Sequence, residues 1–225
     1  MRYLKLKALA GLLNLVVILA LSLFLPAWTL RWWQAWLFLG VFTSCVLAIT
    51  VYLMGTDPAL LERRMRVGPI AEKRARQKVV QSFASLAFLA LFIVPSLDHR
   101  FGWSCAPVLV VAVGDLLVAL GLLAVFLVFK ANSFTSATIE VAHQQRVVST
   151  GPYAFVRHPM YAGALVMLLG VPLSLGSWWG LLALVPMTLT IVWRLLDEER
   201  VLAASLEGYA EYRAKVRYRL VPGLW

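Results

Sequence analysis

The stretch Met160–Trp193, "MYAGALVMLLGVPLSLGSWWGLLALVPMTLTIVW", contains 34 residues and no charged side chain. It is too long for one ordinary span and is interrupted by "PLSLGSWWG" at 172–180. Read as two arms around Gly176–Ser177, it is a tight helical hairpin. At ~1.5 Å per residue, a 16-residue arm is about 24 Å long, against a hydrocarbon core of ~30 Å. The arms just span, and the hairpin brings the sequence before Met160 close to the sequence after Trp193.

The rest of the chain reads as its membrane scaffold. Of 225 residues, 61% are hydrophobic and 14% charged. The mean hydropathy is +0.81. A soluble domain of this length carries far more charge, so the chain is an all-α integral membrane protein. Further apolar runs fall at about 8–28, 33–54, 79–97 and 107–129. With the hairpin they make six membrane helices, or five if one arm is re-entrant. The run at 8–28 follows a basic start, as in a signal peptide. It is near the ~20 residues that cross a bilayer and no clear cleavage site follows, so it is read as a retained helix. Composition shifts near 130. This divides the chain into a four-helix region (1–129) with a basic loop at 55–78, and a catalytic region (130–225) of connector, hairpin 160–193 and tail 194–225.

Charge sets the orientation. Segments 1–7, 55–78, 130–157 and 194–225 hold 3, 7, 3 and 6 Lys/Arg, together 19 of the 21, and only Arg31 and Arg100 fall at the other end. Basic residues collect on the cytoplasmic side of a membrane protein, so both termini are expected in the cytoplasm, with the inner (cytoplasmic) membrane as the expected location. The net charge of +10 is therefore topogenic and not a nucleic-acid signal. Trp28, Trp32, Trp33, Trp36, Trp103, Trp178 and Trp179 are expected in an interfacial belt at the far end. Cys45 and Cys105 lack metal-ligand spacing and a disulfide framework, and no metal is expected. The loop 55–78 is read first as topogenic charge attracted to anionic head groups, with a part in covering the site as the sharper alternative. Asp115 lies inside a membrane run, where a carboxylate is costly, and is expected neutral or hydrogen-bonded. Asn14 is expected to bond between helices.

The polar chemistry sits at the mouth of the hairpin. "GPYAFVRHPMYAG", Gly151–Gly163, places Tyr153, Arg157, His158 and Tyr161 where the first arm begins. Pro159 suits the first turn of a helix, where its missing N–H costs nothing. The free N–H groups of such a helix start favour an anion. Gly163 leaves room for a close approach. The tail "WRLLDEERVLAASLEGYAEYRAKVRYRLVPGLW" begins where the second arm ends. Hairpin topology therefore sets Arg157, His158 and Tyr161 against Asp197, Glu198 and Glu199. The corner suits a zwitterionic soluble ligand held at the membrane surface.

These residues carry a resemblance. R-H-P-x-Y-x-G, a hydrophobic hairpin, an acidic pair and trailing tyrosines resemble the isoprenylcysteine carboxyl methyltransferase family, whose broader group includes phospholipid N-methyltransferases. The resemblance covers about 145–225, and the small size suggests a prokaryotic member. It implies S-adenosylmethionine as cofactor, a cytoplasmic pocket closed by the tail, and a lipidic or small hydrophobic methyl acceptor: a prenylcysteine-like carboxylate, a phospholipid amine or a thiol. Carried onto this chain, it implies catalytic roles for Arg157, His158, Tyr161 and Glu198. Cofactor contacts are expected from Tyr153, Arg157, His158, Pro159, Tyr161, Gly163, Glu198 and Glu199. Arg157 and the helix start would hold the cofactor's carboxylate, and Glu198 or Glu199 its amino or ribose groups. Tyr209 and Tyr212 match the trailing tyrosines at a shorter spacing, with Glu207–Gly208 where many members carry Phe-Gly. Two other readings stand beside this one: an NADPH-dependent membrane reductase of the sterol reductase type, and a non-catalytic membrane protein. The acceptor and the oligomeric state are left open.

Overall fold

The computed structural model describes residues 2–65, 75–135 and 146–225. Part of the basic loop (66–74) and part of the connector (136–145) lie outside the described residues, so the topogenic reading of Arg66, Lys73 and Arg74 does too.

Eight α-helices and no strand occur among the described residues. In chain order they are α1 (Arg2–Ala27), α2 (Trp33–Thr56), α3 (Pro58–Met65), α4 (Ala75–Phe101), α5 (Val108–Ala131), α6 (Pro159–Ser174), α7 (Leu184–Ser205) and α8 (Tyr209–Lys215). Short 3-10 turns at Gly151–Ala154 and Trp179–Ala183 lead into α6 and α7. Five segments are long and apolar enough to cross a membrane: Tyr3–Ala27, Trp33–Thr56, Gln77–Phe101, Val108–Ala131 and Trp179–Ser205. The chain is thus an integral membrane protein of helical-bundle type. The hairpin arms are unequal. α6 has 16 residues, about 24 Å, whereas the 27 residues from Trp179 to Ser205 extend about 40 Å and carry the acidic trio beyond the apolar part.

α6 is the centre of the bundle and packs on α2, α4, α5 and α7. Its seam with α5 is built from glycines spaced seven apart, Gly114 and Gly121 facing Gly163 and Gly170. Small residues let membrane helices approach to backbone contact. A Cβ on Gly170 would stand 2.6 Å from the Gly114 carbonyl oxygen, and one on Gly121 would stand 2.6 Å from that of Gly163. The remaining core is Leu19, Leu23, Phe38, Leu91, Phe92, Val118, Leu168 and Leu195, all at most 2% exposed.

At the end of the bundle away from Pro159, one buried carboxylate ties the hairpin turn to α4. Asp98 accepts from the Ser104 N–H at 2.7 Å, from the Ser104 hydroxyl at 2.5 Å and from the Ser177 hydroxyl, and the last in turn accepts from the Gly180 N–H at 2.9 Å. Asp98→Ala leaves these donors unpartnered, at roughly 1–3 kcal/mol for each group that finds no other acceptor. The variant is expected to show a lower unfolding temperature in detergent than wild type.

Three expectations are corrected. Trp32 does not join the interfacial belt: it is 1% exposed, stacked on His99 with ring centroids 4.6 Å apart, because α1 and α4 close over it, while the other six tryptophans are exposed. Asn14 is exposed on α1, facing away from the neighbouring helices. Asp115 is buried, but neither carboxyl oxygen has a hydrogen-bond partner among the described residues, so the hydrogen-bonded form of that expectation is not seen.

Candidate active site

The hairpin does bring its two ends together, and it splits the acidic trio three ways. Successive residues on a helix point about 100° apart. Asp197, Glu198 and Glu199 therefore cannot share one partner.

Glu199 points inward, where it is 5% exposed. Its Oε1 accepts from the Arg157 Nε at 2.7 Å and lies 3.3 Å from the His158 Nε2, while its Oε2 accepts from the Arg219 Nε at 2.9 Å. Arg157 is fixed from the other side as well, its Nη1 donating to the carbonyls of Val216 and Arg217 at 3.1 and 3.0 Å. The backbone N–H groups of Arg157 and His158 donate to the carbonyls of Tyr218 and Arg219 at 2.9 and 3.0 Å. The tail thus lies against residues 157–158 and takes up two backbone donors just before the start of α6.

Glu198 points the other way, into a cleft. The Tyr161 hydroxyl donates to its Oε2 at 2.5 Å and accepts from the Arg194 Nε at 3.2 Å. Arg194 stands four residues before Glu198, one turn away on the same face of α7. The cleft is lined by Tyr153, Arg157, His158, Pro159, Tyr161, Arg194, Glu198, Tyr209 and Tyr212, with Asn132 and Arg146 at its margin. It encloses about 110 Å³, whereas ligand pockets typically hold ~300–1,000 Å³. A ligand of nucleoside size therefore needs a wall to part or stands partly outside. Asp197 turns to the third side and accepts from the Gln77 side chain.

The aromatic walls stay neutral. Burial pushes the Tyr153 hydroxyl up to about 12, and it accepts from the Asn132 Nδ2 at 3.1 Å. Burial also raises Tyr209 and Tyr212 well above the ordinary phenol value. The Tyr212 hydroxyl donates to the Tyr153 carbonyl at 2.8 Å and pins α8 to the turn before α6. The Tyr209 hydroxyl is buried on the cleft wall with no hydrogen-bond partner among the described residues.

Of the residues read from sequence, Tyr153, Arg157, His158, Pro159, Tyr161 and Glu198 line the cleft. Gly163 does not. Its close approach is to α5, where an added Cβ would meet Ala124 at 3.0 Å, so it serves the seam and not a ligand. Glu199 lies behind the wall, holding Arg157. The His158 side chain does not cap α6, because its ring turns to Glu199.

Sequence reasoning missed four side chains from outside the two quoted segments or off their expected partners: Arg64, Gln77, Gln81 and Arg194. Arg64 closes α3 with its guanidinium 5.0 Å over the Phe129 ring. Burial lowers its pKa from the ordinary value, and the nearby Tyr161 and Glu198 partly offset this. Arg64 of the basic loop thus lies near Tyr161 and Glu198, while 66–74 of that loop fall outside the described residues. Only Arg194 carried a sequence signal, its spacing of four from Glu198.

No curated protein matches the chain. Residues 109–207 match the model of a family described as PEMT, phospholipid methyltransferase. The match takes in α5, the cleft-forming start of α6 and all of α7, and ends before Tyr209. Methyl transfer at a membrane is the general kind of reaction this indicates: residues 109–207, a little under half of the chain, are similar to the phospholipid methyltransferase family, in the group that also holds the isoprenylcysteine carboxyl methyltransferases.

Proposed function

We propose that this chain is an S-adenosylmethionine-dependent methyltransferase that moves a methyl group to a lipidic or small hydrophobic acceptor. One observation carries the reading beyond the family: Glu198, steered by Tyr161 and Arg194, and the unpartnered Tyr209 hydroxyl line one cleft at the head of the hairpin. A buried hydroxyl without a partner is costly unless a ligand supplies one.

The donor set suits the cofactor. Glu198 would take its ammonium or ribose hydroxyls, and Tyr153 and Tyr209 would donate to its oxygens. His158, Pro159 and Tyr161 would shape the space beside the reacting carbon. When bound, S-adenosylmethionine supplies a methyl group already activated on a sulfonium. Little acid–base help is then needed for a thiolate or carboxylate acceptor, and for an amine Glu198 or His158 would take the proton. Orientation supplies most of the rate, with ~7–11 kcal/mol as the ceiling for that effect. Arg157, held by Glu199 and by the tail carbonyls, would keep the cleft wall in place, with Glu199 behind it. The Lys/Arg bias of segments 1–7, 55–78, 130–157 and 194–225 supports a cytoplasmic orientation of this face, where the soluble cofactor is found, and the acceptor would arrive through the bilayer.

Thermal unfolding of purified protein with S-adenosylmethionine or with NADPH tests the reading. A rise with the first alone is expected. A rise with NADPH alone assigns the reductase class, and no rise with either assigns a non-catalytic protein. Membranes incubated with methyl-labelled S-adenosylmethionine then identify the acceptor as lipid, protein or volatile product.

A further inference from the structure

The cleft's Tyr161–Glu198 pair is held from the N-terminal half of the chain, outside the region that matches the family. Gln77, in the first turn of α4, is fully buried at 0% exposure. Its Nε2 donates to Asp197 Oδ2, and its Oε1 accepts from Arg194 Nη1 at 3.3 Å. One turn later, Gln81 Oε1 accepts from the same Arg194 nitrogen at 3.1 Å. Charge fixes the orientation of the Gln77 amide: reversed, it would set oxygen against carboxylate and N–H against guanidinium. An amide offers a donor to the one and an acceptor to the other without carrying charge. Arg194 in turn gives its Nε to the Tyr161 oxygen, which leaves the hydroxyl proton directed at Glu198.

We propose that Gln77, supported by Gln81, is a positioning residue of this site: it bridges Arg194 and Asp197 on α7 and, through Arg194, aims the Tyr161 hydroxyl at Glu198. The role is one of aim. A guanidinium released from Gln77 and Gln81 can turn its fork away from Tyr161, and the phenol then loses its fixed rotor. A Gln at this place is not required for a membrane helix to begin. A Leu or Met would serve α4 packing as well, but it would take a donor from the buried Asp197 carboxylate and an acceptor from Arg194. This inference rests on the methyltransferase reading only for its kinetic test, since the hydrogen-bond chain exists whatever the cleft binds.

The test is a double-mutant cycle on the full-length protein with Gln77→Met and Tyr161→Phe. For the single Gln77→Met variant, kcat is expected to fall at least 10-fold, with affinity for S-adenosylmethionine within about twofold of wild type by calorimetry. In the Tyr161→Phe background the same change is expected to cost less than twofold, because the hydroxyl it aims is already gone. Equal losses in both backgrounds, or an unchanged kcat in Gln77→Met, overturn the proposal. If Gln77→Met does not fold, Gln81→Met is used in the same cycle, with a smaller loss expected in the same pattern. A second readout needs no turnover. Tyrosine labelled with 13C at Cζ gives a Tyr161 resonance assigned by its loss in Tyr161→Phe. That resonance is expected to shift in Gln77→Met, and an unmoved resonance overturns the proposal. If wild-type protein transfers no methyl group, the proposed reaction fails, and the resonance alone decides the role of Gln77.

Discussion

Glu199→Ala is expected to yield little or no folded protein, whereas Glu198→Ala is expected to fold normally and lose methyl transfer. The two residues are neighbours in sequence with the same side chain, so the contrast isolates environment from chemistry. Glu199 is the common acceptor for Arg157, His158 and Arg219, and the first two are almost as buried as it is. Removing one partner of a buried ion pair typically costs ~3–5 kcal/mol, because it strands the other charge away from water. Here the stranded group, Arg157, also carries the tail through the Val216 and Arg217 carbonyls, so the loss spreads to the segment that walls the cleft. Among the described residues Glu198 accepts from the Tyr161 hydroxyl, which keeps its bond to Arg194 when the carboxylate is removed. Its removal is expected to lower kcat/KM by 10²-fold or more, the range for a positioned acid–base or binding group. Detergent-solubilised yield and thermal unfolding read the first effect, and transfer of a labelled methyl group reads the second. Similar yields for the two variants would refute the division of roles.

The second large effect is expected at a position with no polar chemistry. Gly170→Ala adds one carbon in the α5–α6 seam, 2.6 Å from the Gly114 carbonyl oxygen and 2.7 Å from the Val118 nitrogen. These neighbours are backbone and cannot rotate aside, so the helices must separate. Overpacking a close contact costs typically 1–3 kcal/mol and more when backbone must move. The displacement passes along α6 to His158 and Tyr161, and a shift of ~1 Å at such groups can cost 10²-fold in rate. A variant that still folds is therefore expected to lose most of its activity, with a lowered unfolding temperature. Gly40→Ala on α2 is the control, since a Cβ there meets nothing within 4 Å and alanine favours a helix. It is expected to match wild type in both measurements. Equal behaviour of the two variants would show that the seam tolerates spreading.

Much of this was open to reading in the chain itself. Long uncharged runs have to be helices in a bilayer, because no other unclosed structure satisfies their backbone there. The break at "PLSLGSWWG" and the charges flanking 160–193 then bring Arg157 and His158 to the acidic trio without any knowledge of packing. Pro159 as the first residue of α6 followed from its missing N–H.

Tertiary structure alone decided which acid does what. Sequence gives Asp197, Glu198 and Glu199 equal standing, and only the neighbours met at each 100° step of α7 separate a bridge to Gln77, a cleft wall and a buried clamp. It also decided that Gly163 belongs to a helix seam, because a glycine's use depends on what comes near its missing side chain. Gln77 could not be found from sequence at all. A polar residue near a membrane boundary is ordinary, and it gains its meaning only from two charges placed 117 and 120 residues further along the chain. Periodicity and charge act locally and so are written in order along the sequence. A hydrogen-bond partner is set by where other helices stop in space, and that is written nowhere in the run of residues around it.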